Sequence, residues 1–132
     1  MTQHVPNAPV LGELEIDVLD TLWAEGELSA KDMHQRIVTR RKVSANSVQA
    51  AMERLYRKGI LSRTKLSHRY LYQPTVPREK LLGSLINDLV ARFQADALSS
   101  TAAFLNAAEQ LDETALDLLE AEIRRRRSER KP

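Results

Sequence analysis

The spacing of apolar residues changes once along the first half of the chain, and this change limits the possible folds more than any other feature. Three stretches have the spacing of a helix buried on one side, and two shorter stretches after them have the character of strands. These stretches are 11–25, 29–38, 44–58, 60–66 and 70–73. We therefore predict three helices followed by a two-stranded hairpin, all within about 65 residues.

Residues that start and stop helices lie where this division requires them. Ser29 precedes Asp32 by three residues, which is close to a capping box, and Ser44 is placed to cap the third helix. Gly26 and Gly59 follow the first and third stretches, and glycine commonly ends a helix. The order of three helices and a hairpin is that of a winged helix-turn-helix, in which the third helix enters the DNA major groove.

The third helix has two different faces, and the polar one suits base recognition. Its apolar face contains Val48, Met52 and Leu55. The opposite face begins with short side chains, which allow the helix backbone to approach the base edges. Asparagine and glutamine match the N6 and N7 groups of adenine, and an alanine methyl can lie against the methyl group of thymine. The predicted base-reading residues are Asn46, Ser47, Gln49 and Ala50.

Positive charge is concentrated in the middle of the chain. The segment 36–69 holds ten Lys or Arg residues and a single acid, Glu53, whereas the whole chain has 20 bases and 18 acids. A basic segment in an otherwise acidic chain favours a face that binds a polyanion. The predicted phosphate contacts are Arg40, Arg41, Lys42, Ser44, Arg54, Arg57, Lys58, Arg63, Lys65, His68 and Arg69.

The region after Pro77 is rich in Leu, Ala, Asp and Glu and predicts further helices. The helix that begins at residue 78 is apolar around too much of its surface to be covered by a tail of this size, so we expect it to pack against a second copy of the chain. The predicted dimerisation residues are Leu82, Leu85, Ile86, Leu89, Val90, Phe93, Leu105, Leu116, Leu119 and Ile123.

These observations predict a mainly α protein with a small β-hairpin. A flexible arm at 1–10 would precede a winged-helix DNA-binding domain at 11–75, and a helical dimerisation region would occupy 78–127. The expected partners are double-stranded operator DNA and a second copy of the chain.

Several function classes are disfavoured. The chain has no cysteine, which excludes disulfides and thiol-based zinc sites, and its three histidines have no metal-ligand spacing. With only four glycines there is no phosphate-binding loop, and no Ser, His and acid grouping stands out, so we expect neither an enzyme nor a cofactor. No apolar run approaches the roughly 20 residues that cross a bilayer, and no signal peptide is evident, so we expect a cytoplasmic protein without membrane contact.

Four motifs carry a family resemblance. In order, "LGELEIDVLDTLW", "SAKDMHQRI", "SVQAAMERLYRKGIL" and "HRYLYQP" resemble the BlaI/MecI family of penicillinase and methicillin-resistance repressors, which also has copper-responsive members. The resemblance covers 11–75 well, and 78–127 resembles the family in length and helical character. It implies a dimeric repressor of a dyad operator, with β-lactam-resistance or cell-envelope stress genes as its targets.

The signal that would release such a repressor is left open by the sequence. β-Lactam-responsive members of the family are cut at an Asn-Phe bond in the tail, whereas this chain reads Phe104-Leu105-Asn106 there. Copper-responsive members use a cysteine pair, which this chain lacks. A protease or an unknown inducer therefore stays open as a partner. Two alternative functions also stay open: a regulator whose tail binds a small ligand, and a winged helix that binds an acidic protein.

Overall fold

The computed structural model describes residues 11–93 and 96–130, and the predicted arm at 1–10 lies outside these residues. The described chain is mainly helical with one small antiparallel sheet, which confirms the predicted fold class. The helices are α1 (Glu13–Glu25), α2 (Ala30–Ile37), α3 (Ala45–Arg57), α4 (Arg78–Phe93), α5 (Ala97–Leu111) and α6 (Ala115–Arg130). The strands are β1 (Leu28–Ser29), β2 (Leu61–Leu66) and β3 (Arg69–Pro74).

The predicted caps start two of these helices. The Ser29 hydroxyl accepts a hydrogen bond from the backbone N–H of Asp32 at 3.1 Å, and the Ser44 hydroxyl accepts one from the N–H of Ser47 at 3.1 Å. Each bond satisfies a donor that the first turn of the helix leaves without an intrahelical partner. Gly59 ends α3 with a φ of 80°, a conformation that glycine adopts without steric cost.

The hairpin is part of a three-stranded sheet. β3 lies in the middle and pairs antiparallel with β2 on one side and with β1 on the other. Ser67 and His68 form the turn between β2 and β3, and Ser67 adopts a φ of 59°. The prediction of two strands was therefore incomplete. β1 is only two residues long, too short to show an alternating pattern, and its Ser29 is also the cap of α2.

Side chains from α1, α2, α3 and the sheet form one core in the first part of the chain. Its fully or almost fully buried members are Val18, Leu19, Leu22, Met33, Ile37, Val48, Ala51, Met52, Leu55, Leu61 and Tyr72. Burial of a large apolar side chain contributes about 1.5–3 kcal/mol relative to exposure. The core therefore fixes α3 against α1, α2 and the sheet through the apolar face of α3, and the polar face of α3 points outward.

The start of α4 is held against α1. The indole Nε1 of Trp23 donates a hydrogen bond to the carbonyl of Val76 at 3.0 Å, and the Arg78 guanidinium lies 3.8 Å from the Asp20 carboxylate. Leu81 packs on the edge of the core, as does Trp23 itself. The chain divides into two compact units, and the boundary lies within α4. The first unit ends at Asp88 and the second begins at Leu89.

The second unit contains the last residues of α4 with α5 and α6. The Asp96 carboxylate accepts a hydrogen bond from the N–H of Ser99 at 2.7 Å, which lowers the pKa of Asp96 and starts α5. On α6, hydrogen bonds from Arg125 and then Arg126 lower the pKa of Glu122 to about 2. No residue of α4, α5 or α6 is buried. None of the helices within 11–93 and 96–130 is long and apolar enough to cross a membrane.

Candidate nucleic-acid interface

The predicted base-reading residues share the exposed face of α3. Val48, Ala51, Met52 and Leu55 on the other face are completely buried. The residues on the exposed side are Asn46, Ser47, Gln49 and Ala50. This separation gives a helix whose outer surface near its N-terminus carries only short or amide side chains, the arrangement that major-groove entry requires.

The first turn of α3 is ordered by Ser44. Its hydroxyl accepts from the N–H of Ser47 and also donates to the Ser47 hydroxyl at 3.0 Å. Ser44 was predicted as a phosphate contact, and the structure gives its side chain a capping role at this position. The Ser47 hydroxyl is therefore held in a defined direction at the beginning of the exposed face.

Two of the predicted phosphate contacts lie next to acids of α1. The Nη2 group of Arg40 donates to the Thr21 hydroxyl at 2.8 Å and lies 3.6 Å from Asp17. The Nε group of Arg41 donates to the same carboxylate at 3.0 Å. These ion pairs connect the segment before α3 to α1, and they offset part of the positive charge that the sequence concentrates there.

A buried carboxylate binds two cations at the end of α3. Glu15 is only 6% exposed, and its Oε1 accepts from the backbone N–H of Gly12 at 3.0 Å. Its Oε2 lies 3.3 Å from the Lys58 ammonium and 3.7 Å from the Arg54 guanidinium. Glu15 thus joins the start of α1 to the last turn of α3, and Arg54 and Lys58 keep their other sides in solvent.

Glu53, the single acid of the basic segment, binds two further predicted phosphate contacts. Its carboxylate lies 3.4 Å from Arg57 on the same helix and accepts a hydrogen bond from Arg63 of β2 at 2.8 Å. Arg63 also donates to the hydroxyl of Tyr72 at 3.4 Å, and hydrogen bonds to Tyr72 and Glu53 raise the pKa of its guanidinium. Arg63 is therefore a permanent cation engaged with the protein itself.

The remaining predicted phosphate contacts are exposed at the turn of the hairpin and just before α3. They are Lys42, Lys65, His68 and Arg69. None of them forms an ion pair with another residue of the described ranges 11–93 and 96–130. Because no acid of the described residues forms an ion pair with them, these exposed side chains are well placed to bind a phosphate backbone.

The residues that sequence reasoning missed are the acids that hold the cations. Asp17, Glu15 and Glu53 each form ion pairs with two of the predicted phosphate contacts. The spacing of Glu53 and Arg57, four residues apart on one helix, was a readable signal. The pairing of Glu15 with Lys58 joins residues 43 positions apart, and only the tertiary structure reveals it.

The exposed polar groups on α3 and around the hairpin turn are amides, hydroxyls and cations, which can recognise base edges and phosphates. Within the described part of the chain, no three His, Cys, Asp or Glu residues gather where they could hold a metal ion.

Solved structures share this fold. The solution structure of the DNA-binding domain of the repressor BlaI is 19% identical with a TM-score of 0.51, and the match covers 56% of this chain and 90% of that domain. The crystal structure of YusO from Bacillus subtilis is 15% identical with a TM-score of 0.51, and the match covers 92% of this chain and 77% of that one. At these identities the likeness shows the fold alone, which is that of the winged-helix proteins.

The sequence shows to which family of winged-helix proteins the chain belongs. The family model described as penicillinase repressor matches residues 11–125, so the chain belongs to the penicillinase repressor family, and the resemblance seen in its motifs is confirmed. The protein is accordingly a winged-helix DNA-binding transcriptional regulator and not an enzyme. No curated protein matches the sequence significantly.

Proposed function

We propose that the protein acts in the cytoplasm as a homodimeric repressor, in which each winged helix binds one half of a dyad operator. The exposed face of α3 carries this proposal. Asn46 and Gln49 would pair with adenine edges and Ala50 would lie against a thymine methyl, while Ser47 would contribute a hydroxyl that Ser44 orients. The family suggests β-lactam-resistance or cell-envelope stress genes as targets.

Phosphate contacts would come from both sides of this face. Lys42 precedes α3, and Lys65, His68 and Arg69 surround the turn of the hairpin. Together they would hold the backbone on either side of the groove that α3 reads. Of the seven other predicted contacts, Ser44 caps α3 and Arg63 is engaged with Glu53 and Tyr72. The other five would contribute where the phosphate competes with their carboxylate partners, and they are Arg40, Arg41, Arg54, Arg57 and Lys58.

The apolar surface of the tail supports the homodimer. No residue of α4, α5 or α6 is buried in the single chain. Of the predicted dimerisation residues, six are exposed, namely Leu82, Leu89, Phe93, Leu105, Leu116 and Ile123, and four are half-buried, namely Leu85, Ile86, Val90 and Leu119. Phe93, for example, is 76% exposed. Exposed apolar side chains in such number are typical of interaction surfaces, and a second copy would cover them.

Selection of bound duplexes from fragmented genomic DNA at two salt concentrations tests the DNA-binding part. We expect a short dyad motif that is still enriched at the higher salt, because base contacts add to the salt-dependent phosphate contacts. Uniform binding that disappears with salt would reduce the site to a basic surface. No binding at either concentration would favour a winged helix that binds an acidic protein.

Sedimentation of a charged variant tests the dimer. Leu89→Asp should shift the protein to a monomer and lower its affinity for the full dyad more than for a half-site. Asn87→Asp is the matched control, since it adds the same charge to the same helix without removing apolar surface, and it should stay dimeric. A dimer that survives Leu89→Asp would show that α4 does not form the contact.

A further inference from the structure

We propose that Arg63 is a positioning residue that fixes the hairpin on α3, and not the phosphate contact that its sequence position suggests. The proposal rests on the DNA-binding function proposed above and specifies how the hairpin takes part in it. Arg63, Glu53, Tyr56 and Tyr70 form what we call the Arg63 clamp.

The guanidinium of Arg63 lies over two nearby aromatic rings, with the Tyr72 ring farther away at 5.9 Å. Its central carbon is 3.9 Å from the ring centroid of Tyr56 on α3 and 4.2 Å from that of Tyr70 on β3. A guanidinium stacked on an aromatic face within about 6 Å is attracted by the ring. Arg63 itself belongs to β2, so one side chain connects α3 with both strands of the hairpin.

The charge of Arg63 is already satisfied inside the clamp. Its Nη1 group donates to the Glu53 carboxylate at 2.8 Å, and its side chain is 20% exposed, compared with 74% for Arg57, which binds the same acid. A phosphate that approached Nη1 of Arg63 would compete with this charge-assisted hydrogen bond to Glu53. A planar guanidinium with several hydrogen-bond and ring contacts keeps β2 and α3 in a fixed arrangement and is less available as a mobile counter-ion for phosphate.

The clamp would determine where the hairpin presents its exposed cations. Lys65 follows Arg63 by two residues on β2, and Arg69 pairs with Leu66 directly after the turn. With Arg63 stacked on Tyr56, these cations are held at a fixed distance from the exposed face of α3. The core and the pairing with β1 hold the base of the hairpin, and the clamp adds a contact between its strands and α3. Without the clamp, the end of the hairpin should move more freely relative to α3, and restricting that motion on DNA should lower affinity while leaving base preference unchanged.

A double-mutant cycle on operator affinity separates the two roles. Arg63→Gln and Tyr56→Leu should each weaken binding by about 2- to 30-fold, the range of the stacking interaction. The operator affinity of the double variant should equal that of the single variant that binds less tightly, because both changes break the same clamp. Tyr56→Phe keeps the ring and should bind like the wild type.

Lys65→Gln provides the matched control from the same strand. Lys65 is exposed and lies outside the clamp, so the loss of affinity caused by Lys65→Gln should add to the loss caused by Tyr56→Leu. It should also reduce the slope of log affinity against log salt by about 0.9, the value for one phosphate contact. All affinities are measured on variants whose circular dichroism shows a folded chain, and Tyr70→Leu replaces Tyr56→Leu if the latter unfolds.

The outcomes are distinct. Additive losses for Arg63→Gln and Tyr56→Leu, or wild-type binding by Tyr56→Leu, would overturn the clamp and make Arg63 an independent contact. If the wild-type chain itself selects no dyad, the DNA-binding proposal fails first, and the clamp as a DNA-positioning device fails with it. Dyad selection by the wild type with an additive cycle would refute the clamp alone.

Discussion

Replacing Glu15 by glutamine should destabilise the first unit even though the substitution changes almost no volume. The carboxylate is 6% exposed and lies 3.3 Å from the Lys58 ammonium, with Arg54 at 3.7 Å. Glutamine can still accept the hydrogen bond from Gly12, because its amide oxygen can take the place of Oε1. What the variant loses is the negative charge that faces two cations.

The expected cost is about 1–2 kcal/mol. A charge-assisted hydrogen bond is worth about 1.5–3 kcal/mol and a neutral one about 0.5–1.5 kcal/mol, so the Lys58 contact loses roughly 1 kcal/mol. The Arg54 contact adds between about 0 and 1 kcal/mol, because that side chain is half exposed and its ion pair is screened by solvent. Both cations can rehydrate, which keeps the total below the cost of an isolated buried charge.

Urea unfolding followed by tryptophan fluorescence measures this cost in the right part of the molecule. Trp23 is the only tryptophan of the chain, and it packs on the core of the first unit. The free energy of unfolding is obtained by linear extrapolation to zero urea. The matched control is Glu13→Gln in the same helical turn, since that side chain is 90% exposed and its contact with Arg41 is 3.8 Å long.

Glu15 would have no stabilising charge interaction if Glu15→Gln and Glu13→Gln had unfolding free energies within about 0.5 kcal/mol of each other, the usual range of surface substitutions. A second comparison identifies the cause. In a Lys58→Met background the cost of Glu15→Gln should shrink, because the lost charge no longer faces an ammonium group. An unchanged cost would mean that Lys58 contributes nothing to the effect.

Two further predictions concern α3 and α6. Asn46→Ala should weaken binding to the selected operator by about 1–3 kcal/mol while leaving binding to a scrambled duplex unchanged, and an equal loss on both duplexes would exclude base reading. Hydrogen bonds from Arg125 and Arg126 lower the pKa of Glu122 to about 2. The contribution of the Glu122 carboxylate to the stability of α6 should therefore be fully present above its ordinary pKa and should be lost as the pH falls through about 2. An NMR titration of its carboxyl carbon checks this, and a midpoint above about 4 would show that the two arginines do not hold it.

Local interactions explain how much of the fold could be predicted. The caps formed by Ser29 and Ser44 each join residues three apart, so the sequence alone contains both partners. The exposed face of α3 follows equally from the periodic spacing of its apolar residues. β1 was missed because a two-residue strand has no pattern of its own and exists only through its pairing with β3.

The availability of each cation could not be predicted in the same way. Arg63 and Lys65 are both basic residues of one strand, and the sequence gives no reason to separate them. The structure does so, because Arg63 meets Tyr56 and Glu53 of α3, whereas Lys65 lies beyond their reach near the turn. Such assignments depend on distances between elements, which composition and spacing do not contain.

The small sheet also affects how the protein behaves at high concentration. A strand that is bonded on one side only presents free backbone N–H and C=O groups to other chains and is a common starting point for aggregation. β1 at one edge is only two residues long, and β2 at the other edge carries Arg63 and Lys65. Two β2 strands side by side would bring like charges together. The hairpin that we propose to contact DNA phosphates therefore also resists stacking into a continuous sheet, which should keep the protein dispersed when it is not bound to DNA.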